Sequence, residues 1–154
     1  MAARYAEAIL SFQMFQGYTP YGLEMVLERG HIRELAPGEM LYRQGESATF
    51  VALVVEGVLE LFMERDHEEV ALGEAGASRL LGELAVLAGV ERIMSARAKV
   101  PTVVALWNSD AFQRLIGSDA QLSQRIFRET FRSIVEEHES LVSAVAAQRG
   151  HPAA

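Results

Sequence analysis

Gly82, Glu83 and Arg92 stand within one stretch, GELAVLAGVERIMSARA (82–98), in an order that suits a ligand better than a plain surface helix. Glycine lets a backbone approach a bound molecule closely or take a conformation closed to other residues. Glu83 to Leu87 supplies about one helical turn. Its first N–H groups lack intrahelical partners and sit at the positive end of a dipole, a seat for an anion. Arg92 adds a guanidinium fork whose geometry suits phosphate. An acid beside an anion is counterproductive unless the ligand also brings an O–H donor for Glu83 to accept. A sugar phosphate meets both demands. The residues alone also allow a plainer arrangement, in which Glu83 and Arg92 pair with each other across a turn.

Composition narrows the chemistry. The chain of 154 residues has room for one domain with a sizeable core. Twenty-one acids against 14 bases give a formal charge of −7, which argues against direct nucleic-acid binding, since phosphate neutralisation needs clustered Lys and Arg. The absence of cysteine removes disulfides, thiolate catalysis and cysteine-ligated zinc. His31, His67, His138 and His151 are scattered, without an H-x-H or H-x-x-x-H pair, so no metal site is expected. No serine or aspartate sits in a nucleophile motif, so no catalytic residue and no cofactor are expected, and the chain reads as a non-enzyme. The N-terminus lacks a signal-peptide pattern, and no apolar run is long enough to span a bilayer. A cytoplasmic location without a membrane partner is the expectation.

The elements that must position these residues fall into three blocks. Residues 2–30 read as helical, with Thr19-Pro20 as a capping hydroxyl and a first-turn proline, and Gly30 as a stop. From His31 the pattern changes to short runs rich in β-branched and aromatic residues: HIREL, EMLYRQ, FVALVVEG, VLELFM, EEVAL, MSARAKV and TVVALW. Gly and Pro turns and the Arg65-Asp66-His67 hairpin signal separate them, so an antiparallel sandwich or small barrel is expected, with Trp107 in its core and His67 solvated. Helix returns at Ser109 as N-cap and stops at Gly117. Ser118 with Gln121 then forms a capping box for a long final helix reaching about residue 147, followed by a frayed tail.

Phe127, Phe131, Ile134, His138, Leu141 and Val145 are spaced 4-3-4-3-4 on that helix, a seam of period 3.5. Leu122, Ile126, Val135 and Val142 form a second apolar stripe beside it, and Glu136 to Glu139 add a solvated face interrupted by His138, a half-buried packing residue. One apolar face suits the helix's own domain. The other suits either the same barrel or, since two faces exceed what a small barrel buries, a second copy of the chain across a dimer axis.

The 82–98 stretch resembles the phosphate-binding cassette of cyclic nucleotide-binding domains, roughly F-G-E-L-A-L-x-x-x-x-P-R-x-A-[TS]-V. Gly82, Glu83, Leu84, Ala85, Val86, Leu87, Arg92 and Ser95 match it without a gap. The segment APGEMLYRQGESATFVALVVEG is similar to the family's P-G-x-x-[IL]-x-x-x-G-[DE] stretch through Pro37, Gly38, Gly45, Glu46 and Gly57. The resemblance implies a single domain over 1–154: N-terminal helices (2–30), an antiparallel β-roll of jelly-roll type (31–108) carrying the cassette at 82–95, and C-terminal helices (109–148). It implies a regulatory module for cAMP or cGMP, with Glu83 accepting the ribose 2′-hydroxyl and Arg92 pairing with the cyclic phosphate. The backbone N–H groups of Ala85 and Ile93 would complete the cradle, with Gly82, Leu84 and Met94 around it. The long helix would close over the base and form the seam of a homodimer.

Departures from the pattern are local. Ile93 and Met94 stand where small residues are usual, Glu91 replaces a proline, Ser78 replaces a glycine, and Ala52 replaces an aromatic residue. No helix-turn-helix follows the final helix within these residues, so either the sequence is a piece of a longer chain or the domain signals to a separate protein effector. Two other readings stay open. One is a degenerate fold that binds no nucleotide and serves dimerisation or protein contact; the other is a related barrel enzyme, which lacks metal ligands here.

Overall fold

The computed structural model describes residues 4–150; the expected frayed tail lies mostly outside them. The chain begins with α1 (Ala6–Leu10), a 3-10 turn at Gln13–Phe15, and α2 (Pro20–Leu27). Thr19 caps α2 by accepting from the Gly22 N–H at 3.0 Å, with Pro20 in the first turn. Gly30 has a different role from the expected helix stop, because α2 already ends at Leu27 with Glu28 as its C-cap. A Cβ at Gly30 would lie 2.6 Å from the Leu106 carbonyl oxygen, so glycine is required there by close backbone approach.

Eight strands follow: β1 (His31–Leu35), β2 (Met40–Tyr42), β3 (Phe50–Glu56), β4 (Leu59–Arg65), β5 (Glu68–Ala75), β6 (Leu80–Leu81), β7 (Ser95–Ala98) and β8 (Thr102–Asn108). They form two antiparallel four-stranded sheets, ordered β1-β8-β3-β6 and β2-β7-β4-β5. This is the β-roll expected from the resemblance. The two-residue β6 has no counterpart among the runs read from the sequence, because two residues cannot display a period. At the β4–β5 hairpin, Asp66 and His67 both take positive φ, 53° and 64°. That is the turn whose twist matches paired strands.

Alternation along β3 sorts the core into two layers. Ala52 and Val54 face the roll interior with Leu59, Leu81, Ala96, Val104 and Leu106. Val51, Leu53 and Val55 face outward and are covered by Ile9, Phe15, Leu23, Phe112, Leu122 and Ile126 from the helices. A strand buried on both faces reads as an unbroken apolar run, as FVALVV does. Trp107 joins the helical layer and donates its indole N–H to the Val26 carbonyl at 3.0 Å.

Two helices complete the chain, α4 (Ser109–Ser118) and α5 (Ala120–Arg149). Their caps lie one residue away from the expected ones. Asn108, not Ser109, caps α4 by accepting from Ala111 N–H at 2.7 Å, and Asp119, not Ser118, caps α5 by accepting from Leu122 N–H at 2.9 Å. Gly117 lies inside α4. Asp119 also accepts from the Tyr18 hydroxyl at 2.6 Å, and Arg125 donates to the Met14 carbonyl at 2.9 Å. These bonds pin the start of α5 to the N-terminal helices.

Candidate functional site

Gly82 precedes α3 (Glu83–Ala88) and is required twice over. Its φ is +80°, and a Cβ there would collide with Nη1 of Arg92. The first intrahelical bond of α3 runs from Val86 N–H to Gly82 O at 3.3 Å, so the amides of Leu84 and Ala85 precede the helix's own hydrogen-bond ladder.

Arg92 and Glu83 do not pair, which removes the plainer reading of their spacing. Arg92 is 3% exposed and seated entirely by the roll. Its Nη2 donates to Phe50 O at 2.6 Å and its Nη1 to Gly82 O at 3.1 Å. The guanidinium carbon lies 4.3 Å from the Tyr42 ring centre and 4.8 Å from that of Phe50, a cation over two adjoining aromatic rings that meet edge-on. Its Nε is buried without a hydrogen-bond partner among the described residues. Burial draws its pKa below the usual arginine value.

The backbone of Arg92 joins the two sequence motifs. Its N–H donates to Glu46 O at 2.8 Å, and its carbonyl accepts from Gly45 N–H at 2.8 Å. At the far end of β7, which follows Arg92, Gly38 N–H donates to Ala98 O at 2.7 Å. The glycine turns of one motif therefore fasten both ends of the segment that carries the arginine.

Glu83 is half-buried and accepts from the Thr130 hydroxyl of α5 at 3.1 Å. Burial raises its carboxyl pKa, opposed by its own amide, by Thr130 and by Arg79. The Tyr42 hydroxyl is pushed up to about 12 by burial, so it stays protonated.

Gly82, Glu83, Leu84, Ala85, Arg92, Ile93 and Met94 all line one cavity of about 230 Å³. Met94 is half-buried and packs with Phe50 against the roll interior, and the cavity persists beside it. The Ile93 side chain is 63% exposed at the rim. The Ser95 hydroxyl accepts from Gln44 N–H at 2.9 Å, which makes it a bond between strand and turn. Ser78 holds φ at +77°, the left-handed conformation natural to the glycine it replaces.

The sequence reading omitted Tyr42, Arg79, Ser133 and Glu137, which also line the cavity. Thr130, Ser133 and Glu137 recur at helical spacing as a polar row beside the apolar seam. That row was a legible signal for the helix face turned to the site.

The seam has a different environment. Phe127 is half-buried, whereas Phe131 (61%), Leu141 (64%), Ile134 and Val145 are exposed on this single chain. His138 is exposed too, against the expectation of a half-buried packing residue, because it lies on the seam side of α5, away from the face that carries Ser133 and Glu137 to the cavity. Among the described residues no cluster of three or more metal-ligating side chains occurs, and no helix is long and apolar enough to cross a membrane.

Comparison with known proteins agrees with this geometry. The cyclic nucleotide-binding domain family matches residues 32–119. The type II regulatory subunit of cAMP-dependent protein kinase from Drosophila melanogaster is 21% identical over 86% of this chain, which spans 34% of that relative's length. In fold, the chain is similar to the Thermus thermophilus catabolite activator protein (TM-score 0.76, 23% identity), over 86% of this chain and 62% of that one. It is also similar to the regulatory subunit of a cAMP-independent protein kinase A from Trypanosoma brucei (TM-score 0.72, 21% identity), over 92% and 53%. With both charged residues brought to one cavity and the family match running from β1 to the cap of α5, this chain belongs to the cyclic nucleotide-binding domain family.

Proposed function

We propose that this domain binds cAMP or cGMP as a cytoplasmic, non-catalytic regulatory module, homodimerises through α5, and signals through that helix to a separate protein effector. The observation that carries the reading is Arg92: a buried cation on the wall of a cavity, with one donor unsatisfied. A cyclic phosphate in that cavity is an acceptor that would match both the charge and the planar fork of the guanidinium. In this reading the Ala85 and Ile93 amides share the phosphate, Glu83 accepts the ribose 2′-hydroxyl, and Gly82, Leu84 and Met94 shape the wall. Kinship with a cAMP-dependent kinase regulatory subunit supports a cyclic nucleotide as the ligand class.

Calorimetric titration of the wild type with cAMP and with cGMP tests this. Binding is expected, and Arg92→Lys should weaken it at least about tenfold, since a lysine keeps the charge but lacks the planar fork. Met94→Ala should bind as well or better. A silent wild type together with a binding Met94→Ala would instead establish a filled relic of a site. The likeness to a kinase regulatory subunit described as cAMP-independent gives that second reading its one specific support.

A further inference from the structure

Glu83 opens α3 at the edge of the roll, while Thr130 belongs to α5, and their side chains meet at the cavity. Thr130 is 5% exposed and is the last buried residue along α5. A buried hydroxyl needs a partner, and a desolvated carboxylate needs donors, so each meets the other's requirement. The terminal torsion of a glutamate is broad, so an unheld carboxylate samples many directions. A β-branched threonine on a helix has few side-chain rotamers, so its hydroxyl direction is largely set by the helix. A carboxylate offers about four lone-pair sites. The Thr130 bond to Oε1 therefore leaves capacity for a further donor.

Resting on the reading of Glu83 as acceptor for a sugar hydroxyl, we propose that Thr130 is a positioning residue for Glu83. By holding Oε1, it fixes the carboxylate so that the remaining lone pairs meet a ligand 2′-hydroxyl. The sugar half of the site is then complete only while α5 is docked, and ligand binding and helix docking favour each other. Ser133 and Glu137, on the same face of α5 and on the same cavity, move with Thr130.

Affinities of wild type, Thr130→Val and Thr130→Ser for cAMP and cGMP and for their 2′-deoxy analogues test this by calorimetry. Thr130→Val keeps the shape and removes the donor. It should weaken the ribose ligand about fivefold to tenfold, the scale of one hydrogen bond, and leave the 2′-deoxy ligand unchanged. Thr130→Ser should return the ribose affinity to near wild type. Equal losses for both ligands would assign Thr130 a packing role only, and no loss for either would assign it no role; both overturn the proposal. If Thr130→Val does not fold, Thr130→Ala reads the same ratio. A wild type that binds no cyclic nucleotide overturns the function reading itself, and this proposal with it.

Discussion

Arg92 and Glu83, two of the charged residues on the cavity, are supported in unlike ways. Among the described residues, what holds Arg92 comes from the roll: two carbonyls and two aromatic rings around its side chain, and the Gly45-Glu46 turn on its backbone. Glu83 instead takes its side-chain hydrogen bond from α5, a helix with no fully buried residue after Thr130 among the described residues. The roll thus prebuilds one half of the site, while the other half depends on where a helix lies. If the domain signals through α5, as proposed, this asymmetry is what would let occupancy bias the helix. A site held wholly by the roll would bind without moving anything, and one held wholly by α5 would have no fixed reference.

The largest expected effect concerns the far half of α5. Exposed Phe131, Ile134, Leu141 and Val145 make an apolar stripe beyond the reach of the roll, and a second copy of the chain is the occupant proposed for it. Phe131→Glu or Leu141→Glu would place a charge in that seam, at a cost of several kcal/mol, roughly, where no partner meets it. Light scattering should find wild-type dimer and variant monomer. A wild type already monomeric at micromolar concentration would break the assignment, leaving the helix-side half of the site without external support.

Next in size is Arg92→Leu, which tests whether the roll-side half is structural as well as ligand-directed. The change removes the donors to Phe50 O and Gly82 O and the cation lying over the Tyr42 and Phe50 rings. It should lower unfolding free energy by about 2–4 kcal/mol, measured by urea denaturation. A loss within about 0.5 kcal/mol, typical of a surface change, would mean that the roll does not depend on Arg92.

The unequal supports also explain what could be read from the sequence. The roll was legible because its strands carry apolar runs between glycine and proline turns, and the motif around Gly82, Glu83 and Arg92 is contiguous. The seating of Arg92 was not legible. Tyr42 and Phe50 are far from it in sequence, and a carbonyl acceptor leaves no trace in residue type. The helix contribution was missed for another reason. The seam drew attention to the apolar spacing of α5, while Thr130, Ser133 and Glu137 form a sparse polar row whose meaning depends on the face turned to the roll. The caps at Asn108 and Asp119 each lay beside a serine of equal intrinsic merit, so only the path of the chain distinguished them.

The smallest effect bears on the Glu83 half directly. Burial raises its carboxyl pKa above the usual 4.5, with Arg79 opposing that shift, Glu137 adding to it, and Tyr42 and Arg92 facing the same cavity. The folded chain therefore holds this proton more tightly than the unfolded chain does. The stability it contributes is complete below the ordinary carboxyl range and is lost as pH rises through the folded value. Glu83→Gln supplies a neutral group of the same shape, and the Thr130 hydroxyl can donate to its carbonyl oxygen. At neutral pH the variant should equal or exceed wild type in unfolding free energy, by at most about 1 kcal/mol. Relative to that variant, wild type should gain stability as pH falls through the carboxyl range. Thermal melts of both proteins at matched pH, from the ordinary carboxyl range up to neutrality, read the difference directly. If wild type instead gains on Glu83→Gln as pH rises, Glu83 is stabilised as a carboxylate, and the donors around it, Thr130 and its own amide with Arg79 nearby, outweigh its burial.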